Sequence, residues 1–247
     1  MLIFYFLIVL LGLIIGSFLN VIIYRLPRGE SIVLPPSHCP QCEHKLNWLD
    51  LFPVFSFVFL RGHCRYCRTR ISRRYPLTEL LSGGLTLLWW FRYGAYGLNW
   101  DNFAFLILTY ALIAIAFIDW DLQIIPNRLT LPLIVLGLTL KALEGSFVPA
   151  LVGALAGGGF LLIIALLCPK GMGFGDVKLL AMTGIFLGWY PVLLSLFLGS
   201  VLGIISTLPL FILKKIHRQT PIAFGPFLAL GTLLVMYIDI NINLPHW

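Results

Sequence analysis

The chain has 247 residues, 60% of them hydrophobic and only 11% charged, with a mean hydropathy of +0.96. A soluble domain of that composition could not cover its core with polar surface, so a water-soluble fold is excluded and a membrane protein is implied. The net charge of +7 comes without a basic stripe interleaved with base-stacking aromatics, which argues against a nucleic-acid partner.

In chain order, apolar runs predict eight transmembrane helices, over residues 2–23, 77–93, 103–118, 129–143, 149–168, 179–189, 192–213 and 222–238. The expected fold is an all-α polytopic membrane protein, because in about 30 Å of hydrocarbon each backbone amide must bond within its own segment. The first run has no basic residue before it and no small-x-small cleavage site after it, and Arg25 and Arg28 follow it. It therefore reads as a retained anchor with its N-terminus outside. Residues 24–76 carry nine of the 17 Lys and Arg and are placed in the cytoplasm by the positive-inside rule. Continuing the count puts Arg128, Lys170, Lys178, Lys214, Lys215 and Arg218 on that same side, with Arg92 and Lys141 opposite. The expected division is a first helix at 1–24, a cytoplasmic insert at 25–76 and a membrane core at 77–247.

The insert contains Cys39-x-x-Cys42 and Cys64-x-x-Cys67. Two such knuckles supply the tetrahedral four-thiolate set of a structural Zn(II) site. Two disulfides are the competing reading, and a reducing compartment disfavours them. His38, His44 and His63 stand beside a thiolate shell that is already full, and a closed shell leaves the ion no open position for catalysis. Cys168 reads as a small apolar residue. The run RYCRTRISRR is chiefly a topology determinant that also suits anionic lipid.

Six of the ten acids, Glu30, Glu43, Asp50, Asp101, Glu144 and Asp239, read as loop surface or solvated helix ends. Glu79 opens the second run, where it either orients a substrate or pairs with Arg73 or Arg74. Asp119 and Asp121 leave the third run about 200° apart around a helix, so only one can face inward; Asp119, next to the apolar segment, is the expected one. In GMGFGDVK, Gly171, Gly173 and Gly175 allow close backbone approach, and Asp176 begins a helix where the dipole favours negative charge. A plain interhelical turn with a capping Asp would look the same. The second acid separates the readings: two aspartates at the hydrocarbon boundary can share one proton, one acting as acid and the other as base on a water, the arrangement of aspartic proteolysis. The sixth run, about eleven residues, is either a half-helix or extends back through Asp176. Lys178 can snorkel to the headgroups or sit beside Asp176. Ser17 and Asn20 are expected to bond neighbouring helices, and Gly12 with Gly16 and Gly153 with Gly157 to mark close helix packing. PIAFGPF is expected to break the start of the last run.

The motifs GSFLNVIIYRLPRGE, the paired Cys-x-x-Cys, YPLTELLSG, FIDWDLQIIPNRLTLP, GMGFGDVKLLA and PIAFGPFLALG, in that order, resemble the bacterial type IV prepilin peptidases across nearly the whole chain. That resemblance implies a GxGD-type aspartic protease of the cytoplasmic membrane. Such an enzyme cuts the basic leader from prepilins and pseudopilins after a glycine and methylates the new N-terminus from S-adenosylmethionine. It matches Asp119 and Asp176 to the two catalytic positions; Asn127, after Pro126, is an Asp in some relatives. A Gly-x-Gly-x-x-Gly dinucleotide fingerprint is missing, so the methyl donor must be held by some other arrangement. Two other classes would fit a polytopic chain with intramembrane acids. A proton-coupled transporter would place its acids near the midplane of two repeated halves, and no internal repeat is found. A non-catalytic scaffold would tolerate loss of both aspartates.

Overall fold

The computed structural model describes residues 2–97, 99–167, 172–213 and 222–238. The expectations for Cys168, Lys170, Gly171, Lys214, Lys215, Arg218, Pro221 and Asp239 lie outside the described residues. Each of the eight predicted runs falls on a helix, and strands are absent among the described residues. Among the described residues, four stretches are long and apolar enough to cross a membrane: Leu2–Arg28, Trp100–Leu122, Phe147–Leu167 and Trp189–Pro209. The chain divides into two compact units, Met1–Leu98 and Asn99–Trp247.

In the first unit, α1 (Leu2–Arg25) is a single apolar helix extended by a 3-10 turn and stopped at Gly29, whose φ of 73° is left-handed. It packs antiparallel along α3 (Arg74–Arg92). Side chains smaller than a methyl make this possible: a Cβ on Gly16 would fall 2.7 Å from the Glu79 Cα. Asn20 donates across the same seam to the Tyr75 carbonyl at 3.2 Å. Between the two helices lies the insert, with one short helix, α2 (Phe55–Phe59).

The second unit is built around α4 (Trp100–Leu122). Asn99 caps its start by accepting the Asn102 amide at 2.9 Å, and Gln123 closes it in the left-handed region. Of its most apolar stretch 61% is buried, against 17% for α9 (Trp189–Ile212), so α4 is the axis and α9 presents its side chains outward. Leu108, Leu112 and Ile115 of α4 share a core with Leu179, Leu180 and Met182 of α8 (Phe174–Leu187) and Leu228 of α10 (Gly225–Tyr237). α5 (Asn127–Leu143) follows Pro126, whose fixed φ suits a helix start. The fifth predicted run is two helices, α6 (Phe147–Ala154) and α7 (Phe160–Leu167), joined by a five-residue π turn at Leu155–Gly159. Its glycines meet α8 backbone to backbone, for a Cβ on Gly153 would fall on the Gly184 carbonyl oxygen. The sixth run is not confined to its eleven apolar residues: α8 reaches back through Asp176 to Phe174, and Gly188, at φ 85°, ends it.

Candidate active site and metal centre

Asp119 sits in the last turn of α4 and is 6% exposed, whereas Asp121 is exposed, so the pair divides as their angular separation requires. Asp176 lies in the first turn of α8 with its amide donating to the Gly173 carbonyl at 3.2 Å. Both carboxylates line one open cavity of about 250 Å³. Gln123, Ile124, Ile125, Gly173, Gly175 and Lys178 complete its wall. The Lys178 ammonium donates to Asn127 Oδ1 at 2.9 Å, which spans the start of α5 and the first turns of α8.

Two residues that sequence reasoning had not singled out complete the site. The Gly225 amide, at the start of α10, donates to Asp119 Oδ2 at 3.0 Å. This fixes the orientation of the carboxylate and turns a helix N-terminus towards it. Ile125 fills the space between the glycine loop and α10, since added Cβ atoms on Gly175 and Gly225 would approach it at 2.9 and 3.2 Å. The Gly-Pro pair at 225–226, with Pro at the first helical positions, was the available signal for a helix start, but nothing in it names a partner 106 residues away.

In the insert, the sulfurs of Cys39, Cys42, Cys64 and Cys67 all lie within 4.8 Å of one another. All four are free thiols, not disulfides. The two knuckles repeat each other closely. The Glu43 amide donates to the Cys39 carbonyl at 2.8 Å and the Arg68 amide to the Cys64 carbonyl at 3.1 Å. Glu43 and Arg68 are both left-handed, at φ 57° and 59°. His38 and His63 bond backbone carbonyls through Nδ1, at Pro36 and Arg61. The donor set fits a tetrahedral ion: thiolates about 2.3 Å from zinc lie about 3.8 Å apart, and Cys39 Sγ and Cys67 Sγ are separated by 3.8 Å. The Thr69 hydroxyl and amide beside Cys67 hold its thiol down to about 6, whereas, against the His44 amide, burial and the neighbouring sulfurs of Cys67 and Cys39 push the Cys42 thiol up to about 11, so the four thiols ionise unevenly.

Glu79 pairs with backbone instead of with the neighbouring arginines as its main contact: its Oε2 accepts the Val54 amide at 2.7 Å. It ties the insert to α3.

A family model described as the bacterial peptidase A24 N-terminal domain matches residues 10–93, and one described as the type IV leader peptidase family matches residues 106–208. A protein of Aeromonas salmonicida named prepilin leader peptidase/N-methyltransferase is 37% identical, the match covering 91% of this chain and 87% of that protein. Proteins of the same name from Stutzerimonas stutzeri and Neisseria gonorrhoeae are 38% and 39% identical, each over 90% of this chain and 86% of theirs. The chain belongs to the type IV leader peptidase family. No solved structure matches it. Within this leader peptidase family member, the first matched segment holds the four cysteines and Glu79, and the second holds Asp119 and Asp176. Gly225 lies beyond both segments and reaches Asp119 by folding alone.

Proposed function

We propose that this protein is an inner-membrane aspartic endopeptidase that removes the basic leader of type IV prepilins or pseudopilins and methylates the new N-terminus. The observation that carries the reading is the shared cavity: two aspartates from separate helices line one pocket in a chain whose relatives bear that name.

In this reading Asp119, held by the Gly225 amide, is the better charge carrier and acts as the base. It takes a proton from a water whose oxygen bonds to the scissile carbonyl carbon. Asp176 meanwhile gives its proton to the carbonyl oxygen, forming a gem-diol. On collapse the C–N bond breaks, Asp119 passes its proton to the leaving nitrogen, and Asp176 recovers one from a hydroxyl. Both groups end as they began. A prepilin with its basic leader in the cytoplasm and its apolar stem in the bilayer offers the scissile bond at the inner interface. The proposed topology puts the N-terminus in the periplasm and the insert and both aspartates at the cytoplasmic face. The first span (1–24) and the core (77–247) flank the insert (25–76).

Cys39, Cys42, Cys64 and Cys67 are assigned a structural Zn(II), which would supply cross-linking and no open position for substrate. The methyl donor is assigned as S-adenosylmethionine, on the strength of the relatives' name and the resemblance in sequence.

The test incubates purified protein with a prepilin and labelled methyl donor, scoring cleavage and methyl transfer separately. Asp119→Asn and Asp176→Asn should each lower cleavage by on the order of a thousandfold or more. Methyl transfer to an already shortened pilin should persist, because it needs no activated water. Full cleavage by either variant would overturn the dyad.

A further inference from the structure

The insert carries a second feature that neither the aspartates nor the metal ligands use. Residues 48–60 expose Trp48 at 75%, Val58 at 64% and Phe59 at 82%, together with Leu49, Phe52 and Phe55. Leu49, Phe52, Phe55, Phe59 and Leu60 line an apolar groove of about 370 Å³, with Arg65 at its edge. An aqueous loop would pay for such exposure; a solvent that is itself apolar would not.

The depth of this segment is fixed from within the first unit. Its Val54 amide donates to Glu79 of α3 at 2.7 Å. Glu79 lies opposite Gly16 of α1, nine residues before the helix ends at Arg25, which is about 13 Å along the axis at 1.5 Å per residue. A glutamate leans towards its own helix N-terminus, here the same end, by about 5 Å, which leaves Val54 on the order of 8 Å inside the end of α1. α1, at 24 residues, is about 36 Å long, only slightly more than the hydrocarbon thickness. The turn at Val54 is therefore at the level of the membrane, not above it.

The charges agree. Arg61 follows the aromatic segment directly, Arg65 borders the groove, and Arg28 and Arg73 flank the two helix ends; all four are exposed. Apolar aromatics on one side and guanidinium groups on the rim are what an interfacial segment needs, with Trp at the headgroup level and arginines on phosphate.

We infer that residues 48–60 are embedded in the headgroup and acyl boundary of the adjoining leaflet, with the groove beneath Arg65 taking a phospholipid acyl chain. The insert is thus held to the bilayer by a third, non-spanning contact besides α1 and α3.

The experiment places p-benzoyl-phenylalanine at Phe59, and separately at Gln41 in the first knuckle, in the full chain reconstituted into nanodiscs of phosphatidylethanolamine and phosphatidylglycerol. Both positions are exposed, so neither replacement disturbs a packed core. After irradiation, with and without added prepilin, mass spectrometry should find a gain of one phospholipid mass at position 59 and none at 41. Capture at position 59 of another segment of this chain, or of prepilin, would overturn the inference. So would equal lipid capture at both positions, or none at either.

Discussion

Gly225 touches Asp119 with nothing but its backbone, and that makes it a sharp probe of the site. A methyl group there would stand 2.7 Å from Asp119 Oδ2, so the carboxylate would have to swing away from the amide that holds it. Gly225→Ala should lower kcat for cleavage by about a hundredfold, the scale of a misplacement of about 1 Å in a catalytic group, with melting temperature little changed. Steady-state kinetics beside a thermal scan would check this. That Asp119 and Asp176 stand out was legible in the sequence, because acids are scarce in so apolar a chain and these two flank hydrophobic runs; the structure brings both to one cavity. Gly225 was not, since its contribution is an N–H group that every non-proline residue owns. Glu79 was legible as an unusual acid but not as a backbone acceptor, because its partner is the amide of a loop residue whose position depends on the folded insert.

Where elements meet, the packing of α6 and its π turn on α8 depends on hydrogen side chains. Gly184→Val would force the two backbones apart, and a loss of about 1–3 kcal/mol is the usual consequence of such overpacking. Thermal unfolding in detergent micelles measures it directly. The glycine pairs announced this contact in sequence, but the length of α8 did not follow from its hydropathy. Its first turns carry Gly175, which has no side chain, and the polar Asp176 and Lys178, all lining the cavity while the backbone continues helical.

Within the insert, Asp50 accepts the Arg65 Nε at 2.6 Å, the Asn47 amide at 3.1 Å and the Tyr66 hydroxyl at 3.1 Å. Burial raises its pKa, and these donors together outweigh burial and leave it below the ordinary carboxylate value. With the folded value depressed, its stabilisation is fully present above the unfolded pKa, about 3.9, and disappears as pH falls through the lower folded value. Asp50→Asn should accordingly flatten the pH dependence of insert unfolding below about pH 4 relative to the unmodified chain, as read by acid titration of near-ultraviolet dichroism.

For the molecule as a whole, the two units draw their order from different sources. The second has an apolar core around α4, whereas the insert of the first has few buried side chains beyond Cys39 and Cys64 near its knuckles. With the proposed ion in place, stripping it with a strong chelator should raise amide exchange across residues 37–70 while α4 and α8 stay protected, because ligation would supply folding free energy to the insert alone. Hydrogen-exchange mass spectrometry resolves the two regions. The helices outside the insert were readable as apolar runs among the described residues, since hydrocarbon tolerates few alternatives to an internally bonded helix, although one run is two helices, α6 and α7. The grouping of α1 with α3 was not, because it is written in small-residue contacts that hydropathy does not record.

The π turn at Leu155–Gly159 means that this helical stretch holds one residue more than an α-helix of the same reach would need. Shortening the chain by one glycine at that point would wind the turn into ordinary helix and leave α7 facing as it does now. The same deletion inside α8 would swing every side chain beyond it by about 100°. Among the described helices of the second unit, a change in length is therefore absorbed at this turn, next to the helix that carries Asp176.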